Sequence, residues 1–211
     1  MGDDRAAVRG LRRGAAALAA LLALAAAARA AAPPDPVQLR LVRRADRQYE
    51  VQGLFFVPAS TATAWDVLTD YERIPRFVPA MRQSRVVGAA PDGAELVEQV
   101  AIGRALFLRK SARVLLEVRR DGDRLDFRDV SREDFDDYRG RWEVQNTVAG
   151  SLVVYRLVAD PKFFAPSFLM RGALRRSARD LLARVRAEIL RRARGKVLAQ
   201  GPVPAMDAPP R

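Results

Sequence analysis

The chain has 211 residues, with neither cysteine nor histidine, and its 37 lysines and arginines against 25 aspartates and glutamates give a formal net charge of +12. Without cysteine it has no disulfides or thiolate chemistry, and without histidine it lacks the usual general base, the histidine-containing triads and most zinc sites. The length suits one domain with a full hydrophobic core.

The first thirty residues have the pattern of a secretory signal peptide. Arginines at positions 5, 9, 12 and 13 precede an unbroken run of Ala and Leu over residues 15–28, and Ala28-Arg29-Ala30 fits the cleavage rule. The apolar run is short for a membrane span. We predict a signal peptide over residues 1–30, a flexible Pro-rich leader over residues 31–36 and a periplasmic location in a Gram-negative bacterium; an uncleaved signal anchor is the alternative.

The segment after the leader predicts strands followed by two short helices. Extended runs at Leu39–Leu41 and Tyr49–Val57 precede Ser60, whose side chain suits a helix N-cap. The apolar residues after Ser60 recur at helical spacing, whereas Pro75 and Pro79 allow only a short second helical segment.

The rest of the chain reads as consecutive strands and then one long helix. From Met81 the apolar residues alternate, and Asp121-Gly122 is a hairpin signal. A helical pattern runs from Pro166 to about Arg194, and we predict a disordered tail over residues 195–211. The predicted fold is α+β: a curved antiparallel sheet of about seven strands, two short helices after the first main strand, and one long C-terminal helix packed across the sheet over a cavity.

Several segments carry a resemblance to a known superfamily. They are Ala64–Glu72 with its continuation Ile74–Pro79, Phe135–Trp142 with Gly-Arg-Trp at its end, and Pro166–Arg192. The chain resembles the START-like (SRPBCC, helix-grip) superfamily over residues 37–194, in particular its polyketide cyclase/dehydrase and coenzyme Q-binding branch. The resemblance implies the binding of a hydrophobic molecule in an interior cavity. That branch has no universal catalytic residues, so none is carried over.

Strand alternation predicts which side chains face the cavity. A reversal centred on Arg104 places Glu98 opposite Lys110 and Val100 opposite Leu108. The apolar members of this set place all four on the inner face. Glu98 and Lys110 are therefore expected to be inward-pointing partners.

The later hairpins complete the predicted site. They place Leu116 opposite Phe127 and Trp142 opposite Tyr155. The predicted ligand-binding residues are mostly apolar and include a few polar groups: Phe55, Arg85, Glu98, Val100, Leu108, Lys110, Leu116, Phe127, Tyr138, Trp142, Tyr155, Phe164, Phe168 and Leu169, with Asp129 as a further inward carboxylate. Such a concavity is the usual form of a small-molecule site. The alternative is an ordinary filled core with the charges at its rim.

Two functions remain open at this point. We favour the binding of a hydrophobic small molecule such as a lipid or isoprenoid, including its transport or chaperoning, without covalent change. The alternative is a cyclase or dehydratase acting on a polyketide-like substrate, with Glu98 or Asp129 as the base and Lys110, Arg85 or Tyr138 stabilising an enolate. No phosphate loop, metal loop or cofactor motif is found, so no cofactor and no metal site are predicted.

The C-terminal helix carries an arginine-rich face. Its arginines are Arg171, Arg175, Arg176, Arg179, Arg184, Arg186, Arg191, Arg192 and Arg194. They suit an anionic membrane surface, with Phe163, Phe164 and Phe168 dipping into the interface; a solvated helix face is the alternative. A nucleic-acid partner is not expected, because no strand presents exposed aromatic residues for base stacking. The oligomeric state is not predicted.

Overall fold

The computed structural model describes residues 36–44, 47–105, 108–163 and 166–200, with side chains throughout except at 103–105, 108–110 and 200. The predicted signal peptide, residues 31–35 of the leader, Phe164 and residues 201–211 of the predicted tail lie outside the described residues.

Eight antiparallel strands form one sheet, which is one strand more than the sequence predicts. They are β1 (Val37–Arg43), β2 (Tyr49–Val57), β3 (Met81–Ala89), β4 (Glu95–Ala105), β5 (Leu108–Asp121), β6 (Arg124–Asp129), β7 (Phe135–Thr147) and β8 (Gly150–Pro161). Their order across the sheet is β1-β2-β8-β7-β6-β5-β4-β3. The chain therefore leaves β2 near one edge and resumes with β3 at the opposite edge, and the short helices make this crossing.

The β4–β5 register differs from the predicted one, and the difference reverses a face. The partner of Glu98 is Leu115 instead of Lys110, and the strands continue to the pair Ala105 and Leu108. No Pro and no Asn-Gly pair fixes the turn in this stretch, so the sequence does not locate the reversal. Because successive side chains point to opposite faces, a displacement by the odd number of five residues turns the odd positions of β4 inward.

The β5–β6 register also differs, but without changing faces. The strands join through the predicted Asp121-Gly122 turn, where Gly122 has a φ of 57° that favours glycine. Leu116 lies opposite Asp129 instead of Phe127, a displacement of two residues. An even displacement keeps each side chain on its face, so Leu116 and Phe127 both stay inward.

Two short helices follow β2. The first, α1 (Thr61–Leu68), begins at the predicted N-cap, where the Ser60 side chain accepts a hydrogen bond from the Thr63 N–H at 3.2 Å. It buries Trp65 against the core, and the guanidinium of Arg120 lies 4.3 Å from the Trp65 ring centroid. After a 3₁₀ turn comes α2 (Ile74–Phe77), which begins with Pro75 in its first turn and has no fully buried residue.

The C-terminal helix, α3 (Ser167–Gln200), packs across the inner face of the sheet. It contacts β1, β2 and β4 as well as both short helices, so the sheet curves around it. Leu182 and Ile189 are completely buried at this contact. Gly53 on β2 permits the close approach, because a Cβ there would lie 2.3 Å from Leu182 Cδ1.

The end of α3 lies beyond the predicted boundary. We expected the helix to stop near Gly195, but it continues to Gln200. Gly195 is followed by Lys196, Leu198, Ala199 and Gln200, which are good helix formers and outweigh one glycine. Within the described residues, no helix combines the length and the hydrophobicity that crossing a bilayer requires.

A charged network fastens the last turns of α3 to α1. Arg192 donates hydrogen bonds of 2.8 Å to Glu188 Oε1, to Asp70 Oδ2 and to the backbone carbonyl of Asp66. Lys196 adds a 2.7 Å bond to the Asp66 carboxylate. The side chains of Arg192 and Glu188 are only 15% and 9% exposed, so this network is largely shielded from water.

Glu188 should make the free energy of unfolding depend on acid pH. Hydrogen bonds from Arg191 and Arg192 lower the pKa of Glu188 from 4.5 to about 2. The folded protein therefore binds fewer protons at this site, and the stability that Glu188 contributes above pH 4.5 is lost as the pH falls towards 2. Because the Arg191 guanidinium, the largest cause of the shift, is exposed to solvent, we expect this loss to be about 1–2 kcal/mol by urea unfolding. Glu188→Gln should remove that part of the pH dependence; an unchanged dependence would contradict it.

Candidate functional site

A cavity of about 100 Å³ lies between the inner face of the sheet, the short helices and α3. The residues that line it are mostly aliphatic and aromatic: Val67, Leu68, Tyr71, Ile74, Phe77, Met81, Gln99, Leu116, Val118, Leu125, Phe127, Tyr138, Trp142, Tyr155, Leu181 and Val185. Every one of these lining residues is uncharged. In the part of the chain that the structure describes, no three acidic side chains are grouped so as to hold a metal ion.

Strand pairing brings three aromatic side chains together on the cavity wall. Trp142 lies opposite Tyr155 as predicted, with ring centroids 4.4 Å apart. Phe127 stacks on Tyr155 at 6.4 Å with an angle of 18° between the rings. Gly140 makes room for Phe127, because a Cβ at Gly140 would lie 2.4 Å from Phe127 Cζ. The wall is therefore a packed aromatic surface.

Tyr138 and Tyr155 supply paired hydroxyl groups at this wall. Desolvation by burial raises the pKa of Tyr138 to about 12 and raises that of Tyr155 well above its usual value. A hydrogen bond between the two hydroxyl groups also contributes to these shifts. One hydrogen bond between two O–H groups uses one of their two protons. Both groups stay protonated near neutral pH and act as donors, not as bases.

Two further polar groups border the cavity. Burial also raises the pKa of Tyr71, with the Glu95 carboxylate as the next cause. Gln99 donates a 3.2 Å hydrogen bond to Ser84 Oγ on the neighbouring strand. The cavity therefore offers hydroxyl and amide groups but no ionised side chain.

Half-buried residues mark where the cavity approaches the surface. Its deep lining residues, such as Leu116 and Val185, are buried, whereas Ile74 and Phe77 of α2 and Leu181 of α3 are half-buried. The strands β3, β4 and β7 contribute further half-buried lining residues, namely Met81, Gln99, Tyr138 and Trp142. The rim of the cavity is therefore formed by α2, α3 and these strands together.

Five of the predicted ligand-binding residues line the cavity: Leu116, Phe127, Tyr138, Trp142 and Tyr155. Phe55 is completely buried in the core beside the cavity but is not part of its lining. All six lie on the inner face, as the alternation of their strands predicts.

The inward positions predicted for Arg85, Glu98 and Val100 are wrong. Glu98 lies on the opposite face of the sheet, where Arg85 Nη2 is 2.8 Å from Glu98 Oε2 and Gln83 also donates to Glu98. Val100 lies opposite Arg113 on that same face. The cause is the odd displacement of the β4–β5 register, which points Val97 and Gln99 inward in their place.

The predicted Glu98–Lys110 partnership is also wrong. Lys110 pairs with Gly103, and Leu108 pairs with Ala105. The side chains of Lys110 and Leu108 lie outside the described part of the structure.

Asp129 serves the local backbone and is not a cavity residue. Its Oδ1 accepts from the N–H groups of Leu115 and Ser131, both at 3.0 Å, and from the Ser131 hydroxyl at 2.8 Å. Its Oδ2 accepts from the N–H of Arg132, whose φ is 52°. Asp129 thus stabilises the turn after β6.

The closing residues predicted on α3 do not cover the cavity. Phe168 is 64% exposed and Leu169 is half-buried, and neither lines the cavity. The buried face of the helix begins at Met170, which points away from Phe168. Leu181 and Val185, further along the buried face, border the cavity instead.

The sequence prediction missed the helical side of the cavity. Val67, Leu68, Tyr71, Ile74 and Phe77 come from the two short helices and the turn between them. The apolar face of α1 is recognisable from its helical spacing. That spacing does not predict which part of the sheet or of α3 the apolar face packs against.

The residues that form this site match a known family. Residues 57–186 match the family described as polyketide cyclase / dehydrase and lipid transport, which is more than half of the chain. The chain belongs to the polyketide cyclase/dehydrase and lipid transport family. All cavity-lining residues, from Val67 to Val185, lie within the matched segment.

Solved structures of the same fold include proteins of different kinds. The protein TTHA0849 from Thermus thermophilus is 23% identical, with a TM-score of 0.57 over 68% of this chain and 99% of that one. A STAR-related lipid transfer protein from Xanthomonas axonopodis is 16% identical, with a TM-score of 0.53 over 72% and 98%. The Zhui aromatase/cyclase from Streptomyces sp. R1128 is 13% identical, with a TM-score of 0.53 over 79% and 100%.

These similarities confirm the START-like, helix-grip fold of this polyketide cyclase/dehydrase family member. No curated protein sequence matches the chain significantly. The coenzyme Q-binding part of the resemblance stays a prediction.

Proposed function

We propose that this family member binds a hydrophobic small molecule, such as a lipid or isoprenoid, between the sheet and α3, and holds or carries it without covalent change. The observation that carries the proposal is the uncharged, aromatic lining of the cavity. Apolar pockets with a few oriented polar groups are the usual form of small-molecule sites. The family description includes lipid transport, and one protein of the same fold is a lipid transfer protein.

Ligand entry requires the cavity to widen. Its volume of about 100 Å³ is smaller than the roughly 300–1,000 Å³ of typical ligand pockets. The short helix α2 has no fully buried residue, so moving it breaks few core contacts. Ile74 and Phe77 on α2 and Leu181 on α3 all belong to the half-buried rim of the cavity, and a ligand would separate them.

The polar groups favour a ligand that carries an oxygen acceptor. Tyr138 and Tyr155 share one hydrogen bond, so one of their two protons is available to a carbonyl, ether or ester oxygen at the cavity wall. The remaining lining around Tyr138 would contact the apolar part of the molecule.

The cyclase or dehydratase alternative has less support. Proteins of this fold include aromatase/cyclases, but the two carboxylates proposed as bases lie outside the cavity. Glu98 is paired with Arg85 on the opposite face, and Asp129 accepts backbone hydrogen bonds. The tyrosines that do line the cavity are held in their protonated form.

The test is to purify the full chain under gentle conditions, measure its mass by native mass spectrometry and extract bound lipids. We expect an apolar molecule to copurify with the wild type. Leu181→Trp should fill the opening and reduce the occupied fraction at least tenfold. Leu190→Trp is the matched control, because Leu190 is half-buried on the same helix but does not line the cavity. No bound molecule, or equal loss in both variants, would refute the proposal.

Periplasmic location is part of the same proposal and rests on the pattern of residues 1–30. Cell fractionation with N-terminal sequencing tests it separately. If the purified protein starts at Met1 and is found in the cytoplasm, the proposed periplasmic location is wrong, whereas the proposal of ligand binding in the cavity is unaffected.

A further inference from the structure

The first half of α3 carries positive charge with no acidic residue to balance it. Residues 167–179 read SFLMRGALRRSAR and contain four arginines, whereas the first acidic residue of the helix is Asp180. The arginine-rich face that the sequence predicts along the whole helix therefore divides into two parts with different surroundings.

The arginines of the second half largely take part in holding the fold together. Arg192 is bound to Glu188 and Asp70, and Arg191 is bound to Glu188. Further along the same half, Arg184 lies 3.4 Å from an oxygen of Asp180, and Arg186 donates to the Phe56 carbonyl at 3.1 Å. These charges are already engaged within the protein.

Three arginines of the first half make no such contacts. Among the described residues, no hydrogen bond or ion pair reaches Arg171, Arg175 or Arg176, and all three are exposed. Phe168, 64% exposed, precedes them by one to two helical turns. Helical spacing puts Phe168, Arg171 and Arg175 in one row, which is exposed here and becomes buried further along the helix at Ala178 and Leu182.

We propose that this face, defined by Phe168, Arg171, Arg175 and Arg176, docks the protein on a bilayer that contains anionic phospholipid. The three guanidinium groups match lipid phosphates in charge and in hydrogen-bonding geometry. The exposed phenylalanine has no role in the protein core and is suited to the boundary between headgroups and acyl chains. Charge complementarity together with an adjacent apolar side chain distinguishes this face from an evenly charged surface. The inference concerns a surface apart from the cavity and does not rest on the proposed function.

The test measures binding of the full chain to vesicles made of equal parts of phosphatidylglycerol and phosphatidylcholine, by cosedimentation. The triple variant Arg171→Gln/Arg175→Gln/Arg176→Gln should bind about 100-fold more weakly, because each arginine near an anionic surface contributes roughly a fivefold factor. Vesicles of pure phosphatidylcholine should bind the wild type weakly, and added salt should release it. All variants keep the same N-terminus, so any contribution of residues 1–35 cancels.

A matched control removes the same charge elsewhere. Arg40, Arg82 and Arg194 are exposed and lie outside the docking face. Their triple replacement by Gln should change vesicle binding only a few-fold. An equally large loss in this control would show that overall charge governs binding and would overturn the proposal.

Phe168→Ala separates a bilayer from other polyanions. It should weaken vesicle binding about tenfold and leave binding to a single-stranded DNA oligonucleotide unchanged. If Phe168→Ala has no effect on vesicles, or if the DNA is bound as tightly as the vesicles, the lipid assignment fails. Circular dichroism of each variant confirms that these exposed substitutions leave the fold intact.

Discussion

Replacing Arg192 with alanine is expected to lower the free energy of unfolding by about 3 kcal/mol, which is large for a charged residue. Arg192 binds Glu188 on its own helix, and it binds Asp70 and the Asp66 carbonyl across the interface with the short helices. Its loss takes one donor from Glu188 Oε1, which keeps Arg191, and leaves Asp70 Oδ2 with Arg73 at 3.6 Å. Breaking such largely shielded pairs is costly. Urea unfolding at neutral pH measures the change.

Arg191→Ala is the control for this prediction. Arg191 makes two hydrogen bonds to Glu188 and is the main cause of its lowered pKa, but the Arg191 side chain is 68% exposed. Solvent can replace most of that interaction, so we expect a loss of no more than about 1 kcal/mol. Equal losses of unfolding free energy in both variants would mean that the hydrogen bonds from Arg192 to Asp70 and Asp66 stabilise the fold no more than the exposed contact of Arg191 does.

Gly140→Ala is expected to lower the free energy of unfolding by about 3 kcal/mol and to abolish ligand retention. A Cβ at this position would lie 2.3 Å from the Arg156 carbonyl oxygen and 2.4 Å from Phe127 Cζ. The backbone of β8 cannot yield easily, so the Phe127 ring must move, and the cavity is the space beside it. The substitution thus tests packing and function together, by urea unfolding and by the occupied fraction in native mass spectrometry.

Gly88→Ala supplies the comparison, because nothing lies within 4 Å of a Cβ built on that β3 residue. We expect its stability to stay within about 1 kcal/mol of the wild type, with ligand retention unchanged. If Gly140→Ala behaves in the same way, the close contact between Phe127 and β7 does not shape the cavity.

Local signals determined what could be predicted from the sequence. The Trp142–Tyr155 pair was predictable because the hairpin that joins their strands has a short loop ending in Gly150, whose φ is 147°. The position of Glu98 was not predictable, because the stretch between β4 and β5 carries no strong turn signal. One odd displacement there moved three predicted site residues to the other face.

The helical side of the cavity shows a second limit of prediction from the sequence. Periodicity identified apolar faces on α1 and α3, but the exposure of Phe168 depends on where the helix first meets the sheet. Ala178 is the first residue of α3 in the buried core cluster, ten residues after Phe168. Ile74 and Phe77 likewise face the cavity only because α2 crosses from one side of the sheet to the other, and such placement is tertiary information.

The uncharged lining of the cavity has a consequence for how a bound molecule is kept and released. None of the cavity-lining side chains that the structure describes changes its protonation between mildly acidic and mildly alkaline surroundings. Retention should therefore be indifferent to the acidity of the medium, and we expect release to depend on movement of the half-buried rim, which includes α2 and α3.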